Sequence, residues 1–170
     1  MRNVLLVDGY NIIGAWPELN ELKKRDLSAA RDRLIEILAE YKAYTGFQVI
    51  LVFDAYYVQG LERKYKNYNI DVIFTKENET ADERIEKLAI EMSNIQTQVH
   101  VATSDYTEQW AIFGQGALRK SARELLNESR HVSREVKKTV KTQLEAKPSS
   151  KIPLSKEVAE KFEKWRRGQF

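Results

Sequence analysis

The sequence predicts an α/β protein whose central sheet is mainly parallel. Short runs of aliphatic residues alternate with segments in which apolar residues recur every three or four positions, as in folds that alternate strands with helices. The aliphatic runs are nearly continuous, which is typical of strands buried on both faces of a parallel sheet. A basic part with helical periodicity follows, so we expect an α/β domain with a basic C-terminal helical extension.

Four strands are predicted from the aliphatic runs, and a fifth from a weaker pattern. They cover residues 3–7, 48–54, 69–76 and 98–103, with the fifth near residues 117–120. The second and third strands are separated by a segment, residues 55–68, that contains no helical pattern. This segment must cross over between strands or form an irregular excursion.

Three helices are predicted from apolar periodicity and from cap residues. The first follows Asp26 or Ser28 as N-cap and ends before Gly46. The second begins at a capping box in which Thr80 is followed three residues later by Glu83. The third and longest begins after Ser121, and its apolar stripe continues to Val140 and Leu144. We expect one domain over residues 1–146, and a linker with a short basic helix over residues 147–170.

The charge distribution is uneven and suggests two roles. Residues 1–116 carry 13 Lys/Arg and 18 Asp/Glu, net −5, whereas residues 117–170 carry 15 Lys/Arg and 7 Asp/Glu, net +8. Basic surface attracts polyanions, above all nucleic acid, although a merely solvated helix face is the alternative. Candidate contacts to RNA, including ribosomal RNA, in this part are Arg119, Lys120, Arg123, Arg130, Arg134, Lys137 and Lys138.

A second candidate surface for RNA lies between the second and third predicted strands. Residues 56–68 interleave tyrosines with cations, a mixture that single-stranded RNA binders use to stack bases and screen phosphates. Its candidate contacts are Arg63, Lys64, Tyr65 and Lys66. The alternative is a surface loop whose tyrosines pack on the domain.

Composition excludes several classes of protein. The chain has no cysteine, which excludes disulfides, thiolate metal sites and cysteine nucleophiles. It has neither the pattern of a signal peptide nor an apolar run of the ~20 residues that a membrane helix needs. We therefore expect a soluble protein of the cytoplasm, without a membrane partner.

Four aspartates follow the predicted strands or begin a helix. Asp8, Asp54 and Asp105 follow the first, second and fourth strands, and Asp82 lies in the first turn of the helix after the third. A parallel sheet places all four at its carboxyl edge, where ligands bind in open α/β folds. Each alone is also explained as a turn residue or a helix cap. Four clustered carboxylates require raised pKa values or a cation, and oxygen ligands favour Mg²⁺ or Mn²⁺.

A divalent cation held by carboxylates is suited to phosphoryl chemistry. Asn11 either orients a ligand carboxylate or binds the scissile phosphate, unless it only caps a turn. The sequence has no P-loop, no G-x-G-x-x-G after the first strand and no nucleophile elbow. Tyr10 stands where a haloacid-dehalogenase phosphatase needs a second aspartate, so nucleotide cofactors and these phosphatases are not expected.

Four stretches give the sequence a specific family resemblance. They are "LLVDGYNIIGAW", "VFDA", "FTKENETADERIEKLA" and "VATSDYTEQWAIFGQGALRKSARELL", and they resemble the NYN branch of the PIN-like nucleases, in particular the bacterial YacP family. The resemblance covers about residues 3–126. It implies a PIN-like three-layer α/β/α fold and a metal-dependent endoribonuclease with Asp8, Asp54, Asp82 and Asp105 as the acidic site and Asn11 beside them.

The resemblance also implies a substrate and a partner. The YacP family suggests cleavage of messenger RNA on the translating ribosome, in the aminoacyl site. Composition and spacing alone leave a second reading open, namely a non-catalytic RNA- or ribosome-binding module that keeps a vestigial acidic edge. The complete set of acids favours the nuclease, and a phosphatase is a distant third.

Overall fold

The computed structural model describes residues 1–55, 69–104, 113, 116–145, 164 and 166. Two calls of the sequence analysis lie outside this part of the chain: the segment with Arg63, Lys64, Tyr65 and Lys66, and the fourth aspartate, Asp105. The linker and short helix predicted beyond residue 146 lie outside it almost entirely.

The centre of the fold is a sheet of five parallel strands. These are β1 (Arg2–Asp8), β2 (Gln48–Phe53), β3 (Asp71–Phe74), β4 (Thr97–Thr103) and β5 (Leu118–Ser121). Their order is β3-β2-β1-β4-β5 and every neighbouring pair is parallel. The chain builds outward from β1 to β3 and then returns to the other side of β1. The topological switch point therefore lies between β1 and β4, where α/β proteins bind their ligands.

Two short helices follow β1 that the sequence analysis did not predict. They are α1 (Gly9–Ala15) and α2 (Pro17–Arg25). Two glycines in seven residues give α1 a poor intrinsic preference for helix, and it is too short to display a period. Packing overrides this preference, because Ile12 and Ile13 are completely buried. Pro17 stands at the first position of α2, where its missing N–H costs nothing.

The predicted caps of two longer helices are confirmed. At the start of α3 (Leu27–Thr45), the Asp26 carboxylate accepts hydrogen bonds from the N–H groups of Ser28 and Ala29, at 2.9 and 3.3 Å. The helix ends at Gly46, whose φ of 77° is left-handed. The Thr80 hydroxyl accepts from the Glu83 N–H at 3.2 Å and so begins α4 (Ala81–Met92).

The two faces of the sheet pack against different helices. Val4 and Leu6 of β1 share a buried apolar cluster with Ile85 and Ala89 of α4. The alternate residues Leu5 and Val7 are also completely buried, on the face where α1 contacts the first strands and α3 contacts β2. The predicted α/β class with helices flanking a central parallel sheet is confirmed.

The basic helix α5 (Ala122–Glu145) follows β5 directly. The Ser121 hydroxyl accepts from the Glu124 N–H at 3.0 Å, as its capping box predicts. Its apolar stripe is buried at Leu125 and Val132 only, because Val140 and Leu144 are 50% and 64% exposed. The chain divides into compact units Met1–Glu135 and Val136–Phe170, so the division falls inside α5 and not after residue 146. In the part of the chain described, no helix is long and apolar enough to cross a membrane.

Candidate active site

Asp8 stands at the centre of the carboxyl edge. It is the last residue of β1, it pairs in register with Val52 of β2, and it is 9% exposed. Burial, the charge of Asp82, a hydrogen bond with the Asp82 carboxyl and the charge of Asp54 together raise the pKa of Asp8 to about 7, against a smaller lowering effect of the Asn11 backbone N–H. A carboxyl group in this setting either holds a proton or requires a cation.

Asp54 is placed by the ends of β2 and β3. It follows β2 directly and stands two residues beyond Val52, the residue in register with Asp8. Buried Thr75 fixes the backbone on both sides of it, since the Thr75 N–H donates to Phe53 at 3.0 Å and the Thr75 hydroxyl accepts from the Ala55 N–H at 2.9 Å. Two backbone hydrogen bonds thus hold the residue that carries the carboxylate.

Asp82 is delivered to Asp8 by the first turn of α4. The turn is fixed by the Thr80 cap and by Glu79, whose carboxylate lies 2.7 Å from Arg84 Nε and 3.3 Å from Lys87 Nζ. The carboxyl groups of Asp82 and Asp8 are hydrogen-bonded to each other. A pair of acids this close shares a proton or a cation.

Asn11 connects the ends of β1 and β4 across the switch point. Its side-chain oxygen accepts a short hydrogen bond from the Ser104 N–H and another from the Thr103 hydroxyl at 3.3 Å. Its backbone N–H donates to Asp8. One residue therefore contacts both Asp8 and the backbone that leads to Asp105 in the sequence.

Aromatic rings pack beside the acidic edge. Phe53 lies 4.9 Å from Tyr10 and 5.6 Å from Phe74, between ring centroids. A Cβ atom at Gly9 would collide with the Phe53 ring. Gly9 was expected to let the chain turn away from Asp8; it instead begins α1, and the space it leaves is filled by Phe53.

The residues present fit a divalent cation in their chemistry. Asp8 is buried against Asp82 and is raised in pKa by Asp54, and hard carboxylate oxygens are the ligands that Mg²⁺ and Mn²⁺ prefer. Within the described ranges no three His, Asp or Glu side chains form a metal-holding group. Asp105, the fourth acid, lies outside these ranges.

The described candidates for RNA contact fall into two kinds. Lys120 is not a free cation, because its ammonium group lies 2.8 and 2.7 Å from the two carboxylate oxygens of Glu128 and is 11% exposed. The others are exposed on β5 or α5: Arg119, Arg123, Arg130, Arg134, Lys137 and Lys138. The geometry leaves these six side chains accessible and makes a structural role the better account of Lys120.

Sequence reasoning missed the residues that hold the acids in place. Thr75 and Thr103 each end or follow a strand and are 4% and 1% exposed, and Phe53 directly precedes Asp54. A hydroxyl residue at the end of a buried strand is a usable signal, since a buried hydroxyl needs a partner. The contact between Phe53 and Gly9 has no signal in one sequence, because it depends on the pairing of β1 with β2.

Comparisons with known proteins agree with this geometry. The family model described as the YacP-like NYN domain matches residues 5–167. A protein of Bacillus subtilis (strain 168), named Uncharacterized protein YacP, is 63% identical over 166 residues, which cover 98% of each chain.

Two crystal structures resemble the chain over nearly its full length. That of Rae1 (YacP) from Bacillus subtilis is 64% identical, with a TM-score of 0.78 over 97% of this chain and 95% of the other. A mutant of the same protein gives 58% and 0.74 over 99% and 96%. The family resemblance seen in the motifs is confirmed, and it indicates a nuclease-like function connected with RNA. The chain belongs to the YacP-like NYN domain family.

Proposed function

We propose that the chain is a metal-dependent endoribonuclease that cleaves messenger RNA on the translating ribosome, in the aminoacyl site. The observation that carries the nuclease part is the burial of Asp8 against Asp82, with Asp54 near enough to raise its pKa, at the switch point of a parallel sheet. The ribosome and the aminoacyl site rest on the resemblance to the YacP family alone.

Each acid has a role in this proposal. Asp8, Asp54, Asp82 and Asp105 hold Mg²⁺ or Mn²⁺, with Asp8 and Asp82 as the central pair. The bound ion activates a water molecule and stabilises the charge that develops on the phosphate. Asn11 is a positioning residue, because its side-chain oxygen is already used by Ser104 and Thr103.

The basic residues supply attraction and placement. Phosphate contacts by Lys and Arg fix an RNA on a protein surface without reading its sequence. The exposed cations of α5 are suited to this, whereas the acidic edge repels RNA until a cation is bound. Arg63, Lys64, Tyr65 and Lys66 remain candidate contacts for the single strand.

One experiment tests the proposal directly. Purified protein is incubated with translating ribosomes and mRNA, with Mg²⁺ or with chelator, and the 5′ ends of the products are mapped. We expect defined ends that need the metal, and we expect Asp8→Asn and Asp82→Asn each to reduce cleavage by about 100-fold or more, since even loss of a metal ligand's outer partner costs ~10–100-fold.

A matched control separates the site from general effects of charge. Asp71 is an exposed acid at the amino end of β3, so Asp71→Asn should cleave like the wild type. If Asp8→Asn and Asp82→Asn cleave normally, the acidic edge is not the site. If RNA or ribosomes bind but no product forms with any divalent metal, the chain is the non-catalytic module instead.

A further inference from the structure

A cavity of about 200 Å³ lies away from the acidic residues, between α2, α3 and α5. Its lining comes from the start of α2, from the middle of α3 and from the first half of α5, all within the unit Met1–Glu135. The volume exceeds that of a water molecule, ~30 Å³, and is below the ~300–1,000 Å³ of sites for drug-sized ligands. The cavity therefore suits a ligand with one heterocyclic ring.

The walls of the cavity carry one unpaired charge of each sign. Arg33 is satisfied, because its guanidinium lies 3.2 Å from Glu18 and 3.3 Å from Glu36. Arg130 on α5 and Glu40 on α3 also line the cavity, and neither has an ion-pair partner within the described residues. An acid and a base on different helices remain available to a ligand.

Hydrogen-bonding groups without partners add to these charges. Trp16 caps α2 without a side-chain acceptor, so the first-turn N–H groups beyond Pro17 have no side-chain cap. Ser129 lines the cavity and is 7% exposed, and its buried hydroxyl has no hydrogen-bond partner within the described residues. A buried hydroxyl normally has a partner, and here a ligand or a water molecule is the available one.

The cavity is also rigid on one side. The Trp16 indole N–H donates to the Ala122 carbonyl at 2.8 Å, and the side chain is 2% exposed. This bond fixes the junction of α1 and α2 against the start of α5. Pro17, Ile37 and Leu126 supply apolar surface in the lining, against which a flat ring packs.

We propose that this cavity binds a nucleotide, with the phosphate at Arg130 and the edge of the base at Glu40. A simple anion is a poor ligand, because Glu18 and Glu40 also line the cavity. A nucleotide satisfies both charges, since its phosphate pairs with a guanidinium and its base offers N–H donors to a carboxylate, which only accepts. Guanine has two adjacent donors on its Watson–Crick edge and is expected to bind most tightly, and uracil most weakly.

The proposal goes beyond cleavage at the acidic edge and does not depend on it. The same chemistry is offered by a free nucleotide and by a guanosine within single-stranded RNA, whose unstacked bases proteins read at this edge. The test therefore uses both probes: guanosine and uridine monophosphates, and short RNA strands with or without one guanosine.

Calorimetric titration of the full chain in chelator measures binding without cleavage. Guanosine monophosphate should bind more tightly than uridine monophosphate. Arg130→Gln should weaken guanosine monophosphate by at least about tenfold, since it removes a charge-assisted pair. Glu40→Gln should abolish the preference for guanosine over uridine.

Matched variants control for charge and for folding. Arg134→Gln removes the same charge from an exposed position of α5 outside the lining, and Glu36→Gln does so on α3. Both should bind like the wild type, and a melting temperature confirms that each variant is folded. Nucleotide binding that Arg130→Gln and Arg134→Gln weaken equally would overturn the proposal, as would no binding of either nucleotide or strand at millimolar concentration. Binding of the guanosine-containing strand as well as the nucleotide identifies RNA as the source, and binding of the nucleotide alone identifies a small-molecule ligand; either supports the cavity as a nucleotide site.

Discussion

Asp8 shows how a single carboxyl group is held in an unfavourable setting. Its neighbours on the edge are acids, and its strand is completely buried from Val4 to Val7. A buried group of this kind destabilises the folded protein whenever it must ionise without a partner. The site therefore has a cost in stability that depends on pH and on metal.

The pH dependence of stability follows from the raised pKa of Asp8. The folded group titrates at about 7 and the unfolded one near 3.8, so between these values the folded state binds more protons than the unfolded state. The contribution of Asp8 to the free energy of unfolding therefore falls as pH rises from about 4 to 7 and is constant above. Between pH 5 and pH 8 the loss should be about 2–3 kcal/mol.

The variant Asp8→Asn isolates this effect, because asparagine does not titrate. In chelator, the variant should gain stability relative to the wild type as pH rises from 5 to 8, as measured by denaturant unfolding. Mn²⁺ at neutral pH should reverse the order, since it binds the folded wild type by mass action. A difference between the two proteins that is the same at both pH values would contradict the prediction.

Gly9 gives a second prediction at the scale of one residue. A Cβ atom there would collide with the Phe53 ring, whereas the exposed Gly14 has open space around it in the same helix. Gly9→Ala should lower the free energy of unfolding by about 1–3 kcal/mol through overpacking. Gly14→Ala should leave it unchanged or raise it by up to about 1 kcal/mol.

Thermal unfolding of the two alanine variants checks this pair. Phe53→Leu in the background of Gly9→Ala should recover part of the loss, because leucine is smaller than the ring. Equal melting temperatures for Gly9→Ala and Gly14→Ala would show that Phe53 moves aside freely.

At the scale of elements, one network connects β5, α3 and α5. Glu128 of α5 accepts from the Tyr41 hydroxyl at 3.0 Å and pairs with Lys120 of β5. Burial, followed by the Glu128 charge and its hydrogen bond, raises the pKa of Tyr41. The Lys120 ammonium also lies 6.0 Å from the centre of the Phe47 ring. These contacts fix the start of the basic helix against the helix that precedes β2.

The network predicts different effects for two basic residues. Lys120→Met should destabilise the protein by about 1 kcal/mol, a value that allows for the 43% exposure of Glu128, and should leave the salt dependence of RNA binding unchanged. Arg123→Met, at an exposed position, should have the opposite pair of effects. Melting temperatures and binding in a salt series measure both, and a loss of RNA affinity in Lys120→Met without a loss of stability would restore Lys120 as a contact.

At the scale of the molecule, the separation of charges divides the work. The part up to residue 116 has net charge −5 and the rest +8. Neutralising Arg130, Arg134, Lys137 and Lys138 together should weaken ribosome association and reduce the slope of log affinity against log salt by about 3, since each phosphate contact contributes ~0.7–0.9. Cleavage at saturating substrate should change little.

Co-sedimentation with ribosomes across a salt series measures this slope. The control neutralises Lys23, Lys24 and Arg25, a basic group in the last turn of α2, which should leave the slope nearly intact. If the α5 variant pellets like the wild type at every salt concentration, the basic helix is a solvated face, and docking must be sought in residues 56–68.

The sequence predicted what depends on local chemistry and failed where tertiary contacts decide. Asp26, Gly46 and Thr80 revealed helix ends because caps act within a few residues. α1 and α2 were missed because Ile12 and Ile13 form a helix only through their burial. The apolar period of α5 predicted burial as far as Leu144, although the packed face is buried only as far as Val132. Lys120 read as a phosphate contact because its partner, Glu128, lies on another element.

The position of β1 in the sheet has a consequence for biosynthesis. β1 emerges first from the ribosome, yet one of its two neighbours is β4, and Leu5 pairs with His100. At ~5–20 residues per second, 95 residues take about 5–20 s to synthesise, and contacts so distant in sequence form late in folding. Asp8 therefore meets Asp82 only when most of the chain has been made. A nascent chain carries its first acid from the start without an assembled site, which keeps an incomplete copy inert beside the message that encodes it.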